Sequence, residues 1–553
     1  MLLLLLLPNA FAGDPEGPLA EASVSGAFDT DFRHYAIDER LEGFEDERWL
    51  LHYQEIVTRT NLLADAERWQ VGLQFDTVAL LSARYYLDDE PVYEIDLHDV
   101  GVGFPFPQSY ANVEKAWTTL RLGNTEVQFG DAYTSFGRGI ALNVVRNSDI
   151  DIDTSIRGVK STSSLGDVDL VFFTGIANTQ QVLQDNPNRL LKADKHHAVT
   201  GVQVQRWDLG PANLGFHAVK YRFARGPDLG LSPLHAYGQD FDAQVVGGTL
   251  EFFGLGGVDW FFEGDLFDHR ANELGMDPGY AGYMSAAAYP GRLVILVEAR
   301  RNYNTELVNL FSAPDGYEFA SGPTLEYERS ITEDSSSAVN SNDIYGGRVR
   351  VDFAAKPGQV TPYVALMAAR DRDLAGGHFN LSPETIVHPM VGADIQGGQS
   401  NLLLNAGFRI DKRDDPAAGA DRMAHFDASL GFPAGPVHGE FIWDYYTFWW
   451  GTNTPQQEDF MNSTVALAFN HHAWTLIFYN DLTNDPLINT AGNLPEVGPY
   501  QIYGATELQW QPRSSTTIKA FYGAYKAGIR CAGGQCKRLP GFDGGRLTLT
   551  HAF

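Results

Sequence analysis

The sequence predicts an all-β protein, a large transmembrane antiparallel β-barrel with short periplasmic turns and long external loops. Three observations carry that expectation: strand-period alternation along most of the chain, a regular exchange of tight turns for long connections, and the composition. The chain has 553 residues, of which 12% are aromatic and 56 are glycine. That content suits strands, turns and interfacial belts. Acidic side chains number 70 against 40 basic ones, giving a formal charge of −30. Nucleic-acid binding draws its affinity largely from Lys and Arg neutralising phosphates, so this balance argues against nucleic acid as a partner. No run of about eighteen apolar residues follows the N-terminus, so no membrane-crossing helix is expected; strands need no such run.

The chain opens on Met1 and six leucines, followed by Pro8 and then Ala10-Phe11-Ala12 before Gly13. An apolar stretch ending in Ala-x-Ala reads as a signal peptide over residues 1–12, leaving 13–553 as one barrel domain. A positive leader is missing and the apolar stretch is short, which a start codon assigned too late would explain. The alternative is a buried N-terminal strand.

Residues 245–267 show the repeating unit. Val246, Leu250 and Phe252 share one face of a strand, with Thr249 and Glu251 on the other. After the turn Gly254-Leu255-Gly256-Gly257, the residues Val258, Trp260, Phe262 and Leu266 alternate with Asp259, Glu263 and Asp265. A period of two marks a strand with one apolar and one polar face.

Tight turns recur at Gly123-Asn124-Thr125, Ser164-Leu165-Gly166, Gly210-Pro211-Ala212, Tyr289-Pro290-Gly291 and Lys356-Pro357-Gly358. They continue at Gly397-Gly398-Gln399, Pro433-Ala434-Gly435 and Pro512-Arg513-Ser514. Longer, irregular and often acidic stretches such as 178–195, 225–241, 371–384 and 481–499 separate them. Short turns at one end and long loops at the other are the plan of an outer-membrane barrel, here of about 24 strands, give or take about two. The alternation breaks once, at 304–342, which reads as an inserted or lumen-facing segment. The last strand, Arg546 to Phe553, alternates and ends on an aromatic residue. Phe553 is therefore the expected signal for the barrel assembly machinery, reached through periplasmic chaperones, with outer-membrane lipid as the final partner.

Cys531 and Cys536 are the two cysteines, set among glycines. They read as a local disulfide made outside the cytoplasm. Half of a metal site is the alternative, but no second cysteine pair or nearby histidine supports it.

Asp149, Asp151 and Asp153 alternate with Ile150 and Ile152. An EF-hand needs glycine sixth and glutamate twelfth, where this chain has Thr154 and Lys160. The carboxylates are instead expected on one strand face toward a wet lumen. There, with Asp131 and with Arg138, Arg146 and Arg157, they would form either a charged constriction that filters solutes or a structural salt-bridge network. The aromatic run Tyr445, Tyr446, Phe448, Trp449 and Trp450 reads as an interfacial girdle, with a sugar-stacking platform as the alternative. His196-His197 and His471-His472 are adjacent pairs, and neighbours on a strand point to opposite faces, which disfavours chelation. H-E-x-x-H, G-x-S-x-G and P-loop motifs are all missing. No catalytic residue, cofactor or metal is assigned.

The stretch from Gly130-Asp131-Ala132-Tyr133 through Phe136-Gly137-Arg138-Gly139-Ile140, followed by Asp151 to Gly158, resembles an uncharacterised, porin-like family of Gram-negative outer-membrane β-barrel proteins. Its pattern there is similar to G-D-x-Y-x-x-F-G-x-G and I-D-x-x-x-R-G. The resemblance extends to Gly322-Pro323-Thr324-Leu325 and to the cysteine loop, Gly528 to Gly544. It implies a barrel in the cell outer membrane and says little about what passes through. The resulting expectation is porin-like passage of solutes through a polar, acidic lumen. A plugged anchor or export partner is the alternative, and an outer-membrane enzyme comes third.

Overall fold

The computed structural model describes residues 23–35, 51–87, 90–92, 110–147, 152–179, 197–223, 241–268, 278–305, 318–320, 343–372, 384–414, 419–451, 459–485, 496–497, 500–526, 528–532, 535–539 and 542–553. Among these residues there is no helix. Twenty-four antiparallel strands form one closed wall. It runs from Ser23–Tyr35 to Phe542–Ala552, and those two strands pair over Ala27 to Tyr35 and Gly544 to Ala552. Phe553 finishes the seam: its N–H and C=O bond the backbone of Gly26 at 2.9 and 3.0 Å.

Alternate connections are two to six residues long and lie at one end of the wall, where both termini of the described chain also lie. Glycine makes most of the two-residue ones. Gly123, Gly166, Gly398 and Gly435 all sit at φ between 61° and 67°, a left-handed conformation that costs other L-residues about 1–2 kcal/mol. Each of the tight turns expected from the sequence falls at this end. The break in alternation expected at 304–342 does not occur, because Leu293–Tyr303 pairs directly with Asp343–Phe353. A single long connection therefore joins them. Within it only Glu318–Ala320 is described, as a short strand paired with Gln535–Leu539. The proposed signal peptide and most of 304–342 lie outside the described residues.

The outward face is apolar. Phe172, Leu214, Phe216, Leu266, Val364, Val391 and Leu508 are all exposed on it. Aromatic pairs flank this belt, with Trp474 and Trp510 stacked 5.2 Å apart at the short-turn end and Phe408 near Trp449 at the other. Inward positions carry Asp, Glu, Arg and His. A closed wall, apolar outside and charged inside, is the β architecture that crosses a membrane. The protein is an outer-membrane β-barrel.

Candidate functional site

The strand Thr125–Ala132 is short. Its neighbour Tyr110–Leu122 pairs with it only from Trp117 onward, and its other neighbour, Ile152–Leu165, pairs with it only from Ile156 onward. Past Ala132 the chain leaves the wall and turns into the barrel. Two consequences follow: a gap in the wall toward the long-loop end, and a hairpin inside.

Side chains close the gap. Asp131 accepts hydrogen bonds from the Ala116 N–H (2.7 Å), Asn178 Nδ2 (2.8 Å), Ser155 Oγ (3.1 Å) and Arg157 Nη2 (3.2 Å). The Glu114 carbonyl, which would otherwise bond a neighbouring strand, accepts from Asn178 Nδ2 at 2.9 Å and Arg157 at 3.1 Å. Lys115 Nζ reaches Ser155 Oγ at 2.8 Å and Asp153 at 3.4 Å. Tyr133 donates to Asp153 at 2.6 Å, and Arg146 lies 3.6 Å from the same carboxylate. Five of the seven residues expected to form the charged cluster are described, and four of them, Asp131, Arg146, Asp153 and Arg157, meet here. The lumen-facing placement needs correction, however. Arg157 is paired with Asp131 and with Ile176, an exposed residue of the apolar outer face. The network thus sits within the wall, where it replaces missing ladder bonds. Asp149 and Asp151 lie outside the described residues.

The hairpin pairs Thr134–Phe136 with Leu142–Val144. Phe136, Ile140, Ala141, Leu142 and Val144 are fully or almost fully buried. They pack on one arc of the inner wall, formed by Ile156, Phe173, Val199, Val219, Tyr221, Val245, Phe267 and Tyr283. Each large apolar side chain buried this way contributes about 1.5–3 kcal/mol, so the hairpin is fastened firmly. Polar contacts fix its register. The Tyr221 hydroxyl donates to the Ala141 carbonyl, and the Arg138 N–H donates to Glu263 Oε2 at 2.7 Å. The Arg138 guanidinium lies 4.4 Å over the Tyr283 ring. Gly137, at φ 55°, leaves room for the Glu263 carboxylate: a Cβ there would lie 2.1 Å from Oε1. Arg138 is thus held apart from the wall network and belongs to the hairpin.

Farther round the barrel, inward charges pair with one another. Arg348 meets Glu298, Arg409 meets Asp411 at 2.8 Å, and Arg413 meets Asp421. Tyr363, Asn405, Asp427 and His425 form a hydrogen-bonded chain with links of 2.9, 3.0 and 3.1 Å. Inward side chains near the long-loop end are buried on every side, among them Arg33, Ile386, Arg409, Phe448 and Tyr503. Toward the short turns, inward positions such as Asn405 and Asp394 are partly accessible. The aromatic run expected as a girdle divides by strand parity. Tyr446 and Phe448 are buried inside, where Trp450 packs on them, whereas Trp443, Tyr445 and Trp449 occupy the opposite face.

Cys531 and Cys536 stand directly opposite each other on the paired strands Gly528–Ala532 and Gln535–Leu539.

No family model and no curated protein matches the chain. Among solved structures, the copper transporter OprC is 9% identical, with 96% of this chain and 80% of that one covered at a TM-score of 0.45. The FrpB iron transporter from Neisseria meningitidis (F3-3 variant) is likewise 9% identical, with 96% and 81% covered at a TM-score of 0.44. The P pilus usher PapC translocation pore is 9% identical, with 96% and 99% covered at 0.40. Likenesses this distant carry no argument about what the protein transports or binds.

Proposed function

We propose that the protein passes small solutes across the outer membrane through a polar lumen narrowed by the hairpin Thr134–Val144. The observation that supports this most is the hairpin itself, an inward segment fastened along one arc of an otherwise wide wall. A barrel of about eight strands is filled by its own side chains, whereas barrels of about sixteen to eighteen leave an aqueous channel and those of about twenty-two have a lumen wide enough to hold a plug. A segment folded against the wall then sets the narrowest point. The excess of carboxylates over basic groups favours cations in such a lumen. Phe553 serves as the signal for the assembly machinery on this reading. The test is single-channel conductance of the refolded protein in a planar bilayer under a salt gradient. Steady conductance with a cation-biased reversal potential supports the proposal, and a sharply anion-selective current overturns the charge argument.

One observation favours a second reading. The inward side chains near the long-loop end are buried all round, as in a barrel closed on that side. A plugged anchor or export partner fits that burial, and a correctly folded barrel that never conducts would establish it over passage.

A further inference from the structure

The strands Ala212–Phe223, Phe241–Leu255 and Val258–Asp268 run side by side, with His217 opposite Gly247 and Gly247 opposite Asp265. Because Gly247 carries no side chain, the imidazole reaches across its strand and places Nε2 at 2.6 Å from Asp265 Oδ1. A Cβ on Gly247 would fall 2.0 Å from that oxygen and 2.6 Å from the nitrogen. Glu263 precedes Asp265 by two residues and shares its inward face, beneath the hairpin tip. His217, Glu263 and Asp265 each offer one ligand atom, and these atoms all lie within 4.8 Å of one another.

The three side chains are 0%, 4% and 2% exposed. Glu263 Oε1, Asp265 Oδ2 and His217 Nδ1 are buried without a hydrogen-bond partner. Among the described residues, no Lys or Arg side chain forms an ion pair with either carboxylate; the guanidinium of Arg138 lies over the Tyr283 ring instead. The Phe136 ring, 5.9 Å from the imidazole, keeps the surroundings apolar. Two carboxylates share this apolar pocket with one imidazole and the Arg138 charge, which is turned toward the Tyr283 ring, and charges so far removed from water cost several kcal/mol each when incompletely matched. A dication neutralises both at once.

We propose that His217, Glu263 and Asp265 bind a divalent transition-metal cation of the Zn2+ class. One imidazole and two carboxylates suit Zn2+, which takes nitrogen and oxygen ligands in low coordination number. The Arg138 N–H holds Glu263 Oε2 and so orients the carboxylate, as hydrogen bonds to metal ligands commonly do. This site stands whether or not solute passes through the barrel.

The test is equilibrium dialysis of the chelator-stripped, refolded barrel against micromolar Zn2+, with bound metal counted by atomic absorption. The wild-type barrel is expected to hold one tight equivalent beyond the weak binding of its acidic surface. H217Q, D265N and G247A should each weaken that equivalent at least tenfold, while H388Q, in the separate buried pair with His425, leaves it intact. Co2+ added to the wild-type protein should give ligand-field bands that Zn2+ displaces, a readout that needs no variant to fold. The proposal is overturned if no tight equivalent and no displaceable bands appear, as for a protonated carboxyl pair, or if H388Q abolishes the site while H217Q spares it.

Discussion

The backbone N–H of Arg138 donates to Glu263 Oε2 at 2.7 Å, across 125 residues of sequence. This bond joins the tip of the inward hairpin to the barrel wall. It sits where Gly137 leaves space for a carboxylate, beside the ring of Tyr283. The hairpin is therefore placed by a glycine, a buried acid and an aromatic face acting together.

Gly137→Ala removes that space. Its Cβ would lie 2.1 Å from Glu263 Oε1, at a φ of 55° that disfavours alanine. The hairpin tip should lift, at a cost of about 1–3 kcal/mol. Hydrogen exchange of the amides in 134–144 should accelerate by about tenfold or more, since 1.4 kcal/mol is a factor of ten. Tyr221→Phe, which loses the hydroxyl's bond to the Ala141 carbonyl and keeps the ring, should produce a smaller acceleration, in keeping with about 1 kcal/mol for one neutral hydrogen bond. Unchanged exchange in both variants would show that the tip is not held by these contacts.

Asp131 holds the seam between strands that have no backbone ladder. Asp131→Ala leaves the Ala116 N–H and one of the two Asn178 Nδ2 hydrogens without an acceptor, the other still bonding the Glu114 carbonyl, and each buried unpaired donor costs about 1–3 kcal/mol. Urea unfolding from lipid vesicles should show a loss of at least about 2 kcal/mol. Arg157→Gln should cost less than about 1 kcal/mol, because that side chain is half exposed and its ion pair is screened. Equal losses would contradict a seam organised around the carboxylate.

The register that sets Cys531 opposite Cys536 supports a cross-strand disulfide. Protein exported to an oxidising compartment should show no free thiol until it is reduced. A full complement of two reactive thiols in unreduced, freshly isolated protein would remove the bridge from the account.

Alternation alone made the wall legible, because a period of two separates Trp260 and Phe262 from Glu263 and Asp265 without knowledge of any partner strand. Glycines at the tight turns fixed the plan of short and long connections. The candidate site was far less legible. Asp131, Asp153 and Arg157 were found as residues, yet their setting depends on Thr125–Ala132 ending early, and no local signal marks where a strand leaves the sheet. Gly137 and Gly139 in the G-D-x-Y-x-x-F-G-x-G stretch were the available hint of a turn into the lumen. His217 and Asp265 are 48 residues apart, and their meeting depends on the register of three strands with Gly247 between them. Tyr446 and Tyr445 are adjacent, so strand parity sends one inward and one outward, and reading the aromatic run as a unit obscured that division.

The central claim is that the hairpin sets the narrowest part of a conducting lumen. Single-channel conductance of the wild-type barrel, measured beside a variant lacking residues 134–144 and shown to be folded by its heat-dependent gel mobility, tests it most directly. The account predicts steady, cation-biased current from the wild type and several-fold larger current from the variant. Identical conductance from the two, or silence from both, would contradict it.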